Sequence, residues 1–131
     1  MEGVIPRIDK TRRLSTRHVP WSEPSATIVW KNLLRLGVAE RTVLWNSFAI
    51  HPPRRGEPYS NRAPSALEVK AGLPLLSLLL EAHSSATIVA VGETAHRALK
   101  ALGITAGKAR HPAFGGAGKF GRNLEYIGRA R

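Results

Sequence analysis

The first of four predicted helices carries apolar residues at the spacing of an amphipathic α-helix, and the second is rich in leucine. We predict helices at residues 25–36, 65–82, 93–102 and 119–127. Ser65 followed by Glu68 forms a capping box at the start of the second helix. Gly72–Pro74 predicts a break inside that helix, because proline removes a backbone donor. Gly37 and Gly103 stand where the first and third helices end, and glycine readily takes the left-handed conformation needed there.

Residues 42–48 form a nearly continuous apolar run that predicts a β-strand covered on both faces, and residues 86–91 predict a second buried strand. A third, short strand is predicted within residues 105–110. Between the first strand and the second helix, residues 51–64 are crowded with Pro, Gly, Arg and Asn and predict a surface loop. Strands and helices therefore alternate, which favours an α/β fold with a mostly parallel sheet between layers of helices.

Composition agrees with one packed domain and narrows its chemistry. The 131 residues are 43% hydrophobic, which suffices for one continuous core. No cysteine is present, which excludes disulfides, a thiolate nucleophile, cysteine-bound zinc and an iron–sulfur cluster. The spacing of the histidines predicts no metal site. No apolar run approaches the roughly 20 residues of a membrane span, so we expect a cytoplasmic protein without a membrane partner.

Charge is the strongest global feature of the sequence. Lys and Arg number 20 against 9 Asp and Glu, which gives a formal net charge of +11. This excess favours a polyanionic partner, although an arginine-rich genomic composition would also produce it. Residues 1–24 are rich in arginine and lack a sustained apolar period. We interpret them as an extended basic arm before an α/β domain at residues 25–131.

Candidate chemistry lies where the predicted strands end, because ligands of parallel α/β sheets bind outside the carboxyl ends of the strands. Asn46 interrupts the first strand, and its amide both donates and accepts, as reading the edge of a base requires. The alternative is a core asparagine bonded to the backbone. His111 follows the last strand and either serves as acid, base or donor to a leaving group, or is an exposed structural histidine.

Basic and glycine-rich loops beside these positions suit contact with a nucleic acid. The loop at residues 51–64 contains Arg54, Arg55 and Arg62. These arginines either bind phosphates or are solvated charges. After His111, Gly115 and Gly116 allow a phosphate close to the backbone, and Lys119 adds charge. Phe114 either enters the space left by an extruded base or packs against the sheet.

Four segments taken together resemble the uracil-DNA glycosylase superfamily in their order and spacing. They are Leu44-Trp-Asn-Ser-Phe-Ala-Ile-His-Pro52, Asn61-Arg-Ala-Pro-Ser65 with Glu68, Val89-Ala-Val-Gly-Glu-Thr-Ala95 and Arg110-His-Pro-Ala-Phe-Gly-Gly116. The similarity runs from about Thr16 to Leu124. The combined pattern is far more specific than any one of the segments.

The resemblance implies a three-layer α/β/α fold and a base-excision repair enzyme of the nucleoid. Such an enzyme flips uracil out of single- or double-stranded DNA and hydrolyses its bond to deoxyribose, with no cofactor. Asn46 would read the uracil edge, and His111 would be the catalytic residue that stabilises charge on the departing base. Around His111 the resemblance assigns DNA contacts to Arg110, Pro112, Phe114, Gly115, Gly116 and Lys119. The oligomeric state is left open.

The chain also departs from the family pattern at its start. The family places another strand and a glycine-rich pocket loop before the first strand predicted here, and in many branches that loop supplies a group that positions water. Residues 1–17 contain no such segment, and the only aspartate, Asp9, lies in the basic arm. We therefore expect a family member that begins late and lacks one strand, which leaves backbone groups open at a sheet edge.

Three hypotheses stand on these observations. The first is an active uracil-DNA glycosylase. The second is a truncated, catalytically impaired relative that binds DNA non-specifically through charge and with steep salt dependence. The third is a small basic nucleotide-binding or ribosome-associated domain, which rests on the fold pattern alone.

Overall fold

The computed structural model describes residues 24–50, 52–57, 60 and 62–129. The chain divides between Thr42 and Val43 into two compact units. The predicted basic arm lies outside the described residues apart from Pro24, so its boundary with the α/β domain stays a prediction. Among the described helices, none combines the length and the apolar character that crossing a bilayer requires.

The described part of the first unit consists of one helix and the turn that ends it. Helix α1 spans Pro24–Arg35, one residue earlier at each end than predicted. Gly37 has a φ of 66°, and the amide of Val38 donates to the carbonyl of Leu33 at 3.0 Å. These two features form the left-handed helix end that the glycine predicts. A short 3-10 helix, Ala39–Arg41, follows.

The second unit holds helices and a small parallel sheet in alternating order. Its elements are α2 (Ala66–Ala82), β1 (Val89–Val91), α3 (Gly92–Ala101), β2 (Gly107–Ala109) and α4 (Ala117–Arg129). The two strands pair in parallel, with Ala90 opposite Lys108. The predicted α/β class is therefore confirmed, while each strand is 3 residues long and shorter than predicted.

The core of the second unit forms where α2 and α3 meet β1. The residues buried together there are Leu76, Ala90, Ala98 and Leu99. Helix α4 packs against β2, and a Cβ on Gly107 would lie 2.8 Å from Cδ1 of Ile127, so a larger residue there would have to displace the Ile127 side chain. Phe120 of α4 is fully buried, which stabilises the fold by about 1.5–3 kcal/mol. This packing fixes the start of α4 beside the end of β2.

The predicted break at Gly72–Pro74 is wrong, because α2 continues through Pro74. Proline removes one helical hydrogen bond, yet its ring holds φ at about −65°, a value that a helix accepts. Packing on both sides of the proline compensates for the lost bond. A Cβ on Gly72 would lie 3.2 Å from the Ser47 carbonyl oxygen, and Leu76 is buried in the core. The capping box of Ser65 at the start of the helix is confirmed.

The strand predicted at residues 42–48 is also wrong. That segment has no regular secondary structure, and Val43, Leu44 and Trp45 are 58%, 46% and 46% exposed. A strand requires a neighbour for its backbone N–H and C=O groups. No backbone hydrogen bond joins residues 43–46 to the rest of the described chain, where the sheet consists of β1 and β2. Asn46 therefore stands on an irregular segment and not at the end of a buried strand.

Candidate active site

His111 lies where the carboxyl ends of the two strands meet. It comes two residues after the end of β2, while Gly92 directly follows β1. Gly92 has a φ of 84°, and a Cβ built on it would lie 3.3 Å from the Cβ of His111. The loops after β1 and β2 are thus in contact at the edge where parallel α/β folds bind ligands.

The imidazole of His111 is oriented by its own loop. The backbone N–H of Ala113 donates to Nδ1 of His111 at 3.2 Å. A ring nitrogen that accepts a hydrogen bond carries no proton, so the neutral ring carries its proton on Nε2. The residue is exposed, and Nε2–H makes no hydrogen bond to another described residue. The structure therefore presents a donor to a ligand outside the strand ends.

A tight turn after His111 fixes this arrangement. The amide of Gly116 donates to the carbonyl of Ala113 at 3.1 Å, and φ is 51° at Phe114 and 73° at Gly115. Two successive positive φ angles are typical of a type I′ turn. A Cβ on Gly116 would collide with the carbonyl oxygen of His111. Only glycine at position 116 therefore permits the loop to close over the His111 backbone.

The predicted DNA contacts near His111 differ in their exposure. Pro112 and Gly116 are buried, so they shape the loop and offer little surface to a partner. Phe114 is 98% exposed, which argues against its packing on the sheet. Its left-handed backbone is unusual for a non-glycine residue and costs of order 1 kcal/mol. A side chain that is exposed and stands on a strained backbone is better suited to contact a partner than to stabilise the core.

The other three residues predicted to contact DNA in this region are exposed: Arg110, Gly115 and Lys119. The backbone N–H of Arg110 donates to Oδ1 of Asn123 on α4 at 3.0 Å. That bond ties the end of β2 to the last helix and leaves the Arg110 guanidinium outside. Asn123 carries no sequence signal for this role, because only the fold brings α4 beside position 110.

Glu93 is the acidic residue that stands closest in sequence to the glycine at the end of β1, and its charge is matched by two cations. Nζ of Lys108 lies 2.7 Å from Oε2 of Glu93, and Nε of Arg97 lies 3.1 Å from Oε1. The hydrogen bond from Lys108, and secondly that from Arg97, lower the pKa of Glu93. The negative charge of Glu93, which alone would repel an anion at this turn, is therefore largely compensated.

Asn46 is exposed and makes no hydrogen bond to another described residue. It is consequently not the backbone-bonded core asparagine of the alternative reading. The next residues, Ser47 and Phe48, lie against Gly72 of α2 and hold the chain there. Both the donor and the acceptor of the Asn46 amide are free for a ligand. Its proximity to His111 stays a prediction, and no hydrogen bond joins the two side chains.

The arginines of the predicted DNA-binding loop fall into two groups. Arg54 and Arg55 belong to a turn in which the Glu57 amide donates to the Arg54 carbonyl at 3.0 Å, and both are exposed. Gly56, with a φ of 79°, makes this a turn of type II. Nη1 of Arg54 lies 3.9 Å from Oε2 of Glu57, a long and exposed ion pair. Arg62 instead makes a close bidentate contact, from Nη2 to Oε1 of Glu68 at 2.6 Å and from Nη1 to Oε2 at 2.8 Å.

Sequence reasoning identified Glu68 only as a capping residue and missed its ion pair with Arg62. The guanidinium of Arg62 holds the pKa of Glu68 down to about 2, with help from the Ser65 backbone N–H. The signal available was the six-residue spacing, which carries no periodic meaning between a loop and a helix. In the part of the chain that the structure describes, no cluster of His, Cys, Asp or Glu is placed to hold a metal ion.

Comparison with known proteins supports one family. A family model described as the uracil DNA glycosylase superfamily matches residues 7–129, nearly the whole chain. No match to the chain is found among curated proteins or among solved structures. The family has a three-layer α/β/α fold, with which the alternating helices and parallel strands of the described residues agree, and its members act on DNA. The chain therefore belongs to the uracil-DNA glycosylase superfamily.

Proposed function

We propose that this protein is a DNA N-glycosylase that removes uracil flipped out of single- or double-stranded DNA in the cell. One observation carries the proposal beyond family membership. His111 lies at the carboxyl ends of β1 and β2, and the Ala113 backbone N–H donates to its Nδ1, which leaves Nε2 as the donor of the ring. A donor fixed in advance by the backbone is what a reaction that develops negative charge on its leaving group requires.

In the proposed reaction the bond between C1′ of deoxyribose and N1 of uracil breaks, and its electron pair stays with the base. Nε2–H of His111 donates to a carbonyl oxygen of the departing uracil and stabilises the anion. The sugar approaches an oxocarbenium ion, to which a water oxygen adds at C1′ while a proton is released to solvent. His111 keeps its own proton throughout, because its role is to donate a hydrogen bond.

Asn46 supplies recognition in this proposal. An amide that donates and accepts complements the uracil edge, which offers a carbonyl oxygen and a ring N–H side by side. The free donor and acceptor of Asn46 support this role. Replacing Asn46 by Ala is expected to lower excision by about 10- to 100-fold, because one bidentate contact contributes about 1–3 kcal/mol of discrimination.

Positive charge and an exposed wedge would bind and open the DNA. The formal net charge of +11 and the exposed Arg54, Arg55, Arg110 and Lys119 favour contact with phosphates. Phe114, nearly fully exposed on a strained turn, suits insertion where the extruded nucleotide leaves a gap. These features supply binding and base extrusion, whereas His111 and Asn46 act on the extruded base.

The test is excision from an oligonucleotide with one uracil, followed by alkaline cleavage of the abasic product. We expect activity in the wild type and a loss of about 10²–10³-fold in His111→Ala, the usual cost of removing one donor to a developing anion. His83→Ala is the matched control, because His83 is an exposed histidine at the end of α2. An inert wild type, or equal activity in His111→Ala, would refute the proposal.

A second candidate function is a DNA-binding relative without catalysis. One observation favours it: Asn46 stands on an irregular, exposed segment, whereas recognition residues are more precisely held on strands or helices. Such a protein would bind uracil-containing and thymine-containing oligonucleotides equally, with steep salt dependence and no abasic product. A preference for the uracil-containing strand would exclude it.

A further inference from the structure

Arg62 and its contacts connect the loop at residues 52–62 to the start of α2. Its guanidinium makes four hydrogen bonds: from Nε to the Pro53 carbonyl at 3.1 Å, from Nη1 to the Ala63 carbonyl at 3.1 Å, and from Nη1 and Nη2 to the two oxygens of Glu68. A guanidinium has five N–H donors, so one is left. A phosphate would have to break existing bonds to gain a bidentate contact with this side chain.

Glu68 is held on the other side by the helix itself. Its Oε2 accepts from the Ser65 backbone N–H at 2.7 Å, and Oγ of Ser65 accepts from the Glu68 backbone N–H at 3.3 Å. This capping box fixes the carboxylate at the rigid first turn of α2. The side chains of Arg62 and Glu68 are only 35% and 29% exposed, so water screens their bidentate contact less than it does at an open surface.

The bond from Arg62 to Pro53 reaches the residue directly before the Arg54–Glu57 turn. Three residues after that turn, Oγ of Ser60 accepts from the Arg54 amide at 2.8 Å and donates to the Glu57 carbonyl at 2.7 Å. Ser60 therefore closes the turn on itself, while Arg62 ties it to α2. The exposed side chains that the turn presents are those of Arg54 and Arg55.

We propose that Arg62 is a positioning residue that, through Glu68, holds the Arg54–Glu57 turn against the start of α2 so that Arg54 and Arg55 meet DNA phosphates. The inference rests on the proposed DNA-binding function and changes the role first expected for Arg62, which was a direct contact with DNA. Three of its bonds end on residues that α2 or the turn fixes, and its charge is already paired.

The variant Glu68→Gln distinguishes a positioning role of Glu68 from a purely electrostatic one, because the two roles predict opposite changes in DNA affinity. If charge alone matters, removing a negative charge from a DNA-binding protein tightens binding. If Glu68 holds Arg62 and the turn, binding weakens. Glutamine at the third helical position still forms a capping box, so α2 keeps its start. Glu81→Gln is the matched control, since Glu81 is an exposed acid of α2 that bonds only to Ser77 in the same helix.

The first measurement is binding of a fluorescent uracil-containing oligonucleotide by anisotropy over a range of salt concentrations. The slope of log K against log salt should fall by roughly 2 in Glu68→Gln, since each phosphate contact contributes about 0.9. Arg55→Gln should lower the slope by about 1, and Glu81→Gln should leave it unchanged. Equal DNA affinity and equal salt dependence in the Glu68→Gln and Glu81→Gln variants would overturn the proposal.

The second measurement is limited trypsin digestion of the full chain, with mass spectrometry of cleavage after Arg54 and Arg55. Glu68→Gln and Arg62→Gln should be cut there several-fold faster than the wild type, and the double variant no faster than either single one, because both remove the same tie. Glu81→Gln should be cut at the wild-type rate. Equal rates in all variants would contradict the proposal.

Excision kinetics keep the two proposals apart. Wild-type activity reports on the proposed function, while ratios between variant and wild type report on Arg62. In an active enzyme, Glu68→Gln should raise KM with little change in kcat, because phosphate contacts bind ground state and transition state alike. A wild type that binds DNA without excising uracil refutes the activity and leaves the binding and digestion measurements decisive. A wild type that binds no DNA overturns both proposals.

Discussion

Two regions that carry the proposed chemistry are built in opposite ways: the His111 loop, residues 110–116, and the Asn46 segment, residues 43–48. The His111 loop is closed by its own backbone, from Ala113 to the ring and from Gly116 to Ala113. The Asn46 segment has a strongly apolar pattern, yet its side chains are largely exposed. Local hydrogen bonds therefore define the first region, whereas the backbone of the second is paired with no described strand.

An apolar sequence pattern therefore does not ensure that a segment has a fixed position in the fold. Gly92 and Gly116 fix His111 through backbone geometry that a few neighbouring residues supply. Val43 and Leu44 have strand propensity, but propensity becomes structure only when a partner strand pairs with the backbone. Substitutions should accordingly change stability in the His111 loop and leave it almost unchanged in the Asn46 segment.

The largest effect is expected for Gly116→Ala. The new Cβ would collide with the His111 carbonyl oxygen, so the loop must open or shift. We expect a loss of about 1–3 kcal/mol in the free energy of unfolding, as for other overpacked sites, and excision as low as in His111→Ala. Urea denaturation and the excision assay measure the two effects. Gly128→Ala is the control, because a Cβ on that α4 glycine meets no atom within 4 Å. Wild-type stability in Gly116→Ala would show that the loop is not closed as described.

A smaller effect, of the opposite sign, is expected for Phe114→Asn. Asparagine tolerates a positive φ better than phenylalanine, so relief of strain should stabilise the protein by about 0.5–1 kcal/mol. Excision from duplex DNA should fall because the wedge is lost, while excision from single-stranded DNA, where no stack must be opened, should fall less. Thermal unfolding and parallel assays on both substrates test this. Equal losses on the two substrates would exclude a wedge role.

Acid should affect the two parts of the molecule differently. The ion pair of Arg62 with Glu68 holds the loop that follows the Asn46 segment, whereas no ion pair holds the His111 loop in the described residues. The pKa of Glu68 is about 2 in the folded protein, against about 4.3 for an unperturbed glutamate. Because the pKa of Glu68 is lowered in the folded protein, the stabilisation that its ionised carboxylate contributes is fully present above about pH 4.3. It is lost as the pH falls through about 2. The protection factor of the Ser65 amide against hydrogen exchange should therefore fall between these pH values.

The matched sample for the acid experiment is Glu68→Gln, whose side chain does not titrate and still caps the Ser65 amide, so its protection at Ser65 should show no such step on acidification. The amide of Gly116, bonded to a carbonyl group that does not titrate, is the internal reference for the His111 loop. Identical pH profiles at the two amides would mean that acid opens both regions together.

The smallest effect is expected for Leu44→Ser. A leucine in a buried strand loses about 2–5 kcal/mol when truncated to alanine, whereas an exposed side chain usually changes stability by less than about 0.5 kcal/mol. Leu44 is 46% exposed, so its unfolding midpoint in urea should stay near that of the wild type. Leu76→Ala in the core is the comparison and should lose the larger amount. A large loss in Leu44→Ser would show that the segment is buried in solution.

Much of the fold could be read from local signals in the sequence. The helix ends at Gly37 and Gly103, the capping box of Ser65 and the order of helices and strands all follow from residues a few positions apart. Two predictions of secondary structure failed, because contacts between residues far apart in the sequence determine the conformation there. Pro74 is accommodated because α2 is packed on both sides, and residues 42–48 form no strand because no described strand pairs with them.

The sequence identified candidate site residues, but it did not show the backbone and ion-pair contacts that hold them. The motif around His111 identified the histidine and the glycines. It gave no sign of the hydrogen bond from the Ala113 backbone N–H to Nδ1 of His111, because any residue other than proline supplies such a donor. Arg62 was named correctly as an arginine of the basic loop, yet its pairing with Glu68 depends on how the loop returns to α2. Asn46 was expected at a strand end and lies on an exposed segment.

Residue types and their neighbours along the chain suffice to identify the family, the alternation of helices and parallel strands, the positive charge and the turns. The tertiary structure decided which groups are free to act: the Nε2 proton of His111, the amide of Asn46 and the guanidinium of Arg55, but not that of Arg62. The reason is that a polar group is committed or free according to what lies within hydrogen-bond distance, and in a fold those partners come from far along the chain.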